Sequence, residues 1–151
     1  SFPFILGCDL AGTIVEAGAS VKGFKVGDRV WATSQGFEGR QGTFAEFAAV
    51  DHRWLHPIPE GVSDEDIVAL SLTGVTAQLG LVRNAGLKAG ETLFVNGGSG
   101  GVGACVVQMA KILGARVIAT AGTDLKVAAC RDLGGRQREQ VCRRRGPGPG
   151  R

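Results

Sequence analysis

The chemistry of this 151-residue chain is concentrated in one run of glycines. Gly98-Ser99-Gly100-Gly101-Val102-Gly103 has the spacing G-x-G-x-x-G. Alone the pattern is weak, and its setting makes it specific. Glu91 to Asn96 reads as a short apolar strand before it, and a helix opens at Val102. Arg116 to Ala121 then reads as a second strand, within about thirty residues. In that setting Gly98 permits the tight strand-to-helix turn. Gly100, lacking a Cβ, lets a pyrophosphate approach the backbone, and Gly103 lets the helix pack closely. The helix start offers free N–H groups and a positive dipole end to phosphate. The chemistry this points to is dinucleotide binding. A nucleoside-triphosphate loop is disfavoured, because no Gly-Lys-Ser/Thr follows. The plain alternative is a glycine turn that merely packs a helix on a sheet.

The end of the second strand selects the dinucleotide. An acid there would bind the ribose 2′-hydroxyl of NAD. Thr120-Ala121-Gly122 carries none, and Asp124 comes late, where it or Thr123 caps the next helix, Leu125 to Leu133. Lys126 is near enough to meet a 2′-phosphate, so NADP(H) is the expected cofactor. On its own, Lys126 reads as a solvated helix lysine.

Other reactive residues form no constellation. Cys8, Cys105, Cys130 and Cys142 make no C-x-x-C pair, and no His stands at zinc spacing to them. They read as buried or free thiols in a reducing cytoplasm. The chain has no Tyr, so a tyrosine proton donor is excluded within it. His52 and His56, beside Trp54 and Pro57, read as structural or solvent-facing. No catalytic acid–base pair is assigned.

The elements that must position the glycine run follow from periodicity. Residues 7–50 read as β-structure of a small barrel or sandwich, with alternation in Thr13–Ala17 and Thr43–Phe47. A Gly27-Asp28 turn feeds a strand ending near Trp31-Ala32. After Pro57 and Pro59, Ser63 caps a helix whose first turn holds Asp64, Glu65 and Asp66. It runs from Ile67 to about Val82, as one helix or as two broken at Gly74. From Leu87 the pattern is β-α-β, with Val102, Val106, Met109, Ala110 and Leu113 on one helix face and Gly114 ending it. Strands joined in this way lie parallel with a right-handed crossover.

Composition bounds these readings. The chain is 44% hydrophobic and 21% charged, which excludes wholesale disorder. No apolar run approaches the ~18–20 residues of a membrane span, and Ser1–Leu6 shows neither a basic leader nor a cleavage site. The net charge of +3 is uneven. Residues 136–151 hold six Arg against Glu139, while 1–135 carry a net −2. Nucleic-acid binding therefore has an electrostatic basis only in the basic tail. That tail, Arg-, Gly- and Pro-rich with little to bury, reads as disordered and non-native.

Gly7-Cys8-Asp9-Leu10-Ala11-Gly12, with Gly18 and Val21, follows the signature G-H-E-x-x-G-x5-G-x-x-V, with Cys8 for its zinc-ligand His and Asp9 for its Glu. Gly27-Asp28-Arg29-Val30, Leu72-Thr73-Gly74-Val75-Thr76-Ala77, the glycine run after Asn96-Gly97, and Thr120 to Lys126 extend the match. Over about residues 2–135 the chain resembles the medium-chain dehydrogenase/reductase superfamily, in its zinc-free quinone oxidoreductase (zeta-crystallin-like) branch. The four closely spaced Cys of the zinc-dependent branch's structural lobe are missing after Trp31.

The resemblance implies an α/β fold, with a partial GroES-like β-barrel over 1–62. The first half of a Rossmann domain, a doubly wound parallel sheet, would follow over 63–135, with the tail at 136–151. It places Gly98, Ser99, Gly100, Gly101, Val102 and Gly103 at the pyrophosphate, Gly122 and Lys126 at the adenosine ribose phosphate, and Thr76 near the nicotinamide. Outside the family, Thr76 is an ordinary helix threonine.

The implied reaction is hydride transfer from NADPH to a quinone or another α,β-unsaturated carbonyl, without zinc. An enoyl-thioester reductase of the same superfamily is the next reading, followed by nucleic-acid binding through the tail and then a non-catalytic dinucleotide-binding protein. The setting is cytoplasmic and away from membranes, and full-length family members are expected to form homo-oligomers. Complete members are roughly twice this length, since a nucleotide domain of this kind has two halves. The chain thus reads as a fragment that stops matching after Leu133-Gly134, where a third strand would follow. Alone, it is expected to be marginally stable and poorly active, with one sheet edge unpaired.

Overall fold

The computed structural model describes residues 4–134 and 140–143. It divides into two compact units, Ser1–Leu72 and Thr73–Arg151.

In the first unit, β1 (Leu10–Thr13), β2 (Arg29–Ala32) and β3 (His56–Pro57) form an antiparallel sheet with β2 central. Leu10 pairs with Ala32 and Thr13 with Arg29. The bonds Ile14 N to Asp28 O, 3.0 Å, and Gly27 N to Ile14 O, 2.8 Å, carry the ladder to its turn. Alternation buries Val30 and Ala32 on one face. The expected strand at Thr43–Phe47 does not form. Gly42 N and Thr43 N instead bond the carbonyls of Ile5 and Leu6. Phe44 and Phe47 stand 78% and 72% exposed. Alternation produces a strand only where a neighbouring backbone pairs along its length, and here the bonds to Ile5 and Leu6 stop at Phe44 N.

Helix α1 (Asp64–Gln78) begins at a Ser63 cap. Asp66 N donates to Ser63 Oγ at 3.1 Å, and that hydroxyl donates to Asp66 Oδ2 at 2.8 Å. The helix start is tied to β2, since Arg29 pairs with Asp64 and donates to the Val62 carbonyl at 3.1 Å. These bonds hold the first turn of α1 to the sheet of the first unit. Gly74 is buried and does not break the helix. The change comes later, where Leu79–Asn84 widens to a π-helical turn with Ala85 N on Gly80 O, 3.0 Å. By length and composition alone, the 21-residue run Asp64–Asn84 could cross a membrane, which corrects the expectation that no segment reaches that length. Within it Ala77 and Leu81 are buried, while Leu70, Leu72, Leu79 and Val82 are exposed.

The second unit alternates β4 (Thr92–Val95), α2 (Gly101–Ile112), β5 (Arg116–Ala121), α3 (Asp124–Leu133) and β6 (Gln140–Arg143). The strands are parallel in the order β4-β5-β6. Val117, Ala119 and Ala121 alternate into the core, which Val95, Val107, Ala110 and Ala115 share. Val107 and Ala110 of α2 are buried in this core, while Cys105, buried on another side of the helix, stands 3.4 Å from Thr73 Oγ1. Val106, Met109 and Leu113 pack against the core, while Val102, expected on the buried face, is 40% exposed. Gly114 (φ +78°) ends α2 as expected, with Gly114 N on Lys111 O and Ala115 N on Ala110 O, both 2.9 Å.

The expectation of disorder over 136–151 is corrected at Gln140–Arg143. Ile118 pairs with Gln140 and Ala121 with Arg143, so β6 fills the third-strand place beside β5. A four-residue strand on an existing edge needs backbone bonds more than apolar periodicity. Residues 135–139 and 144–151 lie outside the described residues.

Candidate dinucleotide-binding site

The glycine run joins the carboxyl end of β4 to the start of α2, at the end of a parallel sheet where nucleotide crevices form. Gly97, not Gly98, makes the turn, with φ +79°. Its carbonyl accepts from Gly100 N at 3.0 Å. Gly98 is instead a packing position. A Cβ there would come within 2.8 Å of Ala119 Cβ and 3.2 Å of Cys130 Sγ. A Cβ on Gly103 would collide with the Gly97 carbonyl, so glycine at 103 lets α2 sit against its own incoming loop.

Gly100 is different. A Cβ there would meet only Gly97 O, at an ordinary 3.4 Å. The protein leaves this space open on the ligand side. Gly100 is the N-cap of α2 and provides no side-chain bond to it. The N–H groups of Gly101, Val102 and Gly103 precede the first intrahelical bond, Ala104 N to Gly100 O at 2.7 Å. By contrast, α1 is capped by Ser63, and α3 by Thr123, whose Oγ1 accepts from Lys126 N at 3.3 Å. An uncapped N-terminus above an open glycine is a cradle that a pyrophosphate fits.

The remaining expected residues surround this cradle unevenly. Ser99 is half-buried within the run. Gly122 is exposed just beyond β5, and no atom lies within 4 Å of a Cβ built there. Lys126 is exposed in the first turn of α3, and Asp124 begins that helix while Thr123 supplies the cap. The Cβ position of Gly101 is 3.1 Å from Thr73 Cγ2, which brings the end of α1 to the start of α2. Thr76 is exposed one turn further along α1. Asn96, Gly97 and Thr120 lay within the matched stretches without an assigned role, and here Gly97 N donates to Thr120 Oγ1 at 3.0 Å while that hydroxyl donates to Asn96 Oδ1 at 2.7 Å.

Elsewhere, His56 is exposed and stacks against Trp31, ring centroids 5.0 Å apart, and His52 lies 3.5 Å from Asp51. Cys8 is exposed, while Cys105 and Cys130 are buried, and none of the three is in a disulfide. Among the described residues no three His, Cys, Asp or Glu side chains converge. Asp9 accepts from the Thr33 hydroxyl at 2.5 Å.

Fold and cradle together define a β-α-β unit with a glycine loop at its first strand-to-helix turn, following a small antiparallel unit in the chain. Residues 1–60 match the alcohol dehydrogenase GroES-like domain. The chain is 36% identical over 122 residues to the quinone oxidoreductase of Pongo abelii, covering 81% of this chain and 36% of that protein. It is 39% identical over 117 residues to erythronolide synthase EryA2 of Saccharopolyspora erythraea, covering 78% of this chain and 3% of that one. The solved structure of Escherichia coli quinone oxidoreductase complexed with NADPH matches with a TM-score of 0.82 at 31% identity, covering 93% of this chain and 41% of that chain. The chain belongs to the medium-chain dehydrogenase/reductase superfamily, in its quinone oxidoreductase branch. It spans little more than a third of the curated quinone oxidoreductases it matches.

Proposed function

We propose that this chain is the NADP-binding portion of an oxidoreductase that passes hydride from NADPH to a quinone or a similar α,β-unsaturated carbonyl. The observation that carries the reading is the uncapped start of α2 over the open face of Gly100. In it, Gly98 to Gly103 hold the pyrophosphate by backbone N–H groups, and Gly122 leaves room at the adenosine ribose. Lys126 meets the 2′-phosphate, and Thr76 lies toward the nicotinamide. The bound nicotinamide supplies the hydride. The chain's own residues bind the cofactor and orient it. The NADPH complex of the Escherichia coli relative supports the cofactor choice.

A zinc-free reaction goes with Cys8 and Asp9 standing in the signature's His and Glu places, and with the Asp9 carboxylate engaged by Thr33. The substrate is a small molecule and the setting cytoplasmic in this reading.

An enoyl-thioester reductase is the second reading, favoured by the 39% identity to a polyketide-type synthase. NADPH oxidation by this chain with a quinone, and separately with a 2-enoyl thioester, tests both. Slow but saturable consumption with the quinone supports the first, and consumption only with the thioester supports the second. Tight NADPH binding with neither reaction marks a non-catalytic dinucleotide-binding module. Nucleic-acid binding that vanishes on deleting 136–151, without NADPH binding, would replace all three.

A further inference from the structure

We infer that Thr120, at the carboxyl end of β5, is a positioning residue that latches the glycine loop in its phosphate-binding shape. The inference rests on the dinucleotide reading and deepens it. One residue grips three consecutive loop residues. The Thr120 hydroxyl accepts from Gly97 N at 3.0 Å and donates to Asn96 Oδ1 at 2.7 Å. Its carbonyl accepts from Gly98 N at 2.9 Å. The hydroxyl thus spends its proton on Asn96 and a lone pair on Gly97, which fixes its rotamer.

The held residue, Gly97, is the one in the left-handed turn, and everything downstream is referred to it. Its carbonyl accepts from Gly100 N, and Gly103 is pressed against that same carbonyl. The aim of the Gly101, Val102 and Gly103 amides therefore depends on where Gly97 is held. Two residues beyond Thr120 is Gly122, at the expected ribose end, so one stretch of strand sets both ends of the cofactor's diphosphate-ribose segment. Thr120 touches the loop, not the cofactor, and acts through it.

The test compares Thr120→Val with Thr120→Ser. Valine keeps the branched shape and strand preference but loses the hydroxyl, whereas serine keeps the hydroxyl. NADPH and NADH titrations are expected to weaken by the same factor in T120V, roughly three- to tenfold. T120S should restore both, with the unfolding midpoint monitored throughout. Amide hydrogen exchange gives a second reading without ligand. The Gly97 amide should exchange faster in T120V and not in T120S, with the Gly98 amide unchanged because its acceptor is a backbone carbonyl.

Wild-type affinities in T120V, or T120S behaving as T120V, would overturn the latch. If the unsubstituted chain binds neither nucleotide, the dinucleotide reading fails. Exchange at Gly97 then decides the latch alone, and an unchanged rate in T120V refutes it.

Discussion

Gly103 is packed so closely on the carbonyl of Gly97 that a methyl group at position 103 would fall within the oxygen's own volume. The obstacle is backbone, which cannot swing aside as a flexible side chain would. Gly103→Ala should therefore destabilise the chain by about 1–3 kcal/mol through forced displacement of the loop or of α2. NADPH affinity should drop with it. Denaturant unfolding with the nicotinamide titration checks both, and an unchanged midpoint would show that the loop yields freely.

Gly100 separates binding from stability. Its φ of −77° suits any residue, and its Cβ direction is open. Aspartate is also a good N-cap, so Gly100→Asp should leave stability unchanged or raise it by a few tenths of a kcal/mol. The new carboxylate would occupy the amides that the phosphates need and repel them. NADPH binding should weaken by roughly tenfold or more, a loss of about 1.4 kcal/mol or more. Titration of the variant beside its unfolding curve gives both numbers.

In the proposed site Lys126 would discriminate between the nucleotides rather than anchor them. It is exposed, so its charge is screened and its contribution to a 2′-phosphate contact is about 1 kcal/mol. Lys126→Ala should weaken NADPH by roughly fivefold and leave NADH unchanged, with the difference shrinking in high salt. Equal losses for both nucleotides would remove Lys126 from the phosphate site.

Asp51, in the first unit, provides a pH signature. Hydrogen bonds from the Arg53 side chain, then its backbone N–H, lower the carboxyl from 3.8 to about 2. The charged form is the one favoured by folding. Any stability it adds is present above the ordinary carboxylate value and is lost as pH falls from about 4 toward 2. In Arg53→Gln the Asp51 carboxyl should titrate closer to 3.8, as followed by carboxyl-carbon NMR. A value still near 2 would assign the effect to something other than the Arg53 side chain.

What was legible in the sequence was local chemistry. Ser63 and the acids after it, Thr123 before α3, Gly114 after α2 and the strand–glycine–helix order all depend on neighbours a few residues away. What was not legible depends on distant backbone. The turn role passes from Gly98 to Gly97 because only φ distinguishes them, while Gly98 is needed to clear Ala119 and Cys130. On α2 the expected Val106, Met109, Ala110 and Leu113 do pack on the core, but the fully buried Val107 was not among them and Val102 is exposed. Phe44 and Phe47 alternate like a strand without a partner to make one, and Gln140–Arg143 pairs on an edge without the pattern that usually announces a strand. Thr120 showed no signal as a latch, since a threonine in a strand is ordinary until its hydroxyl is seen between Asn96 and Gly97.

The most direct measurement is titration of this chain with NADPH and with NADH, followed by nicotinamide fluorescence. Saturable enhancement with both nucleotides, tighter for NADPH, is the predicted result. A chain that folds, as judged by its unfolding transition, yet leaves the fluorescence of both nucleotides unchanged would contradict the assignment of the β4–α2 loop as a dinucleotide site.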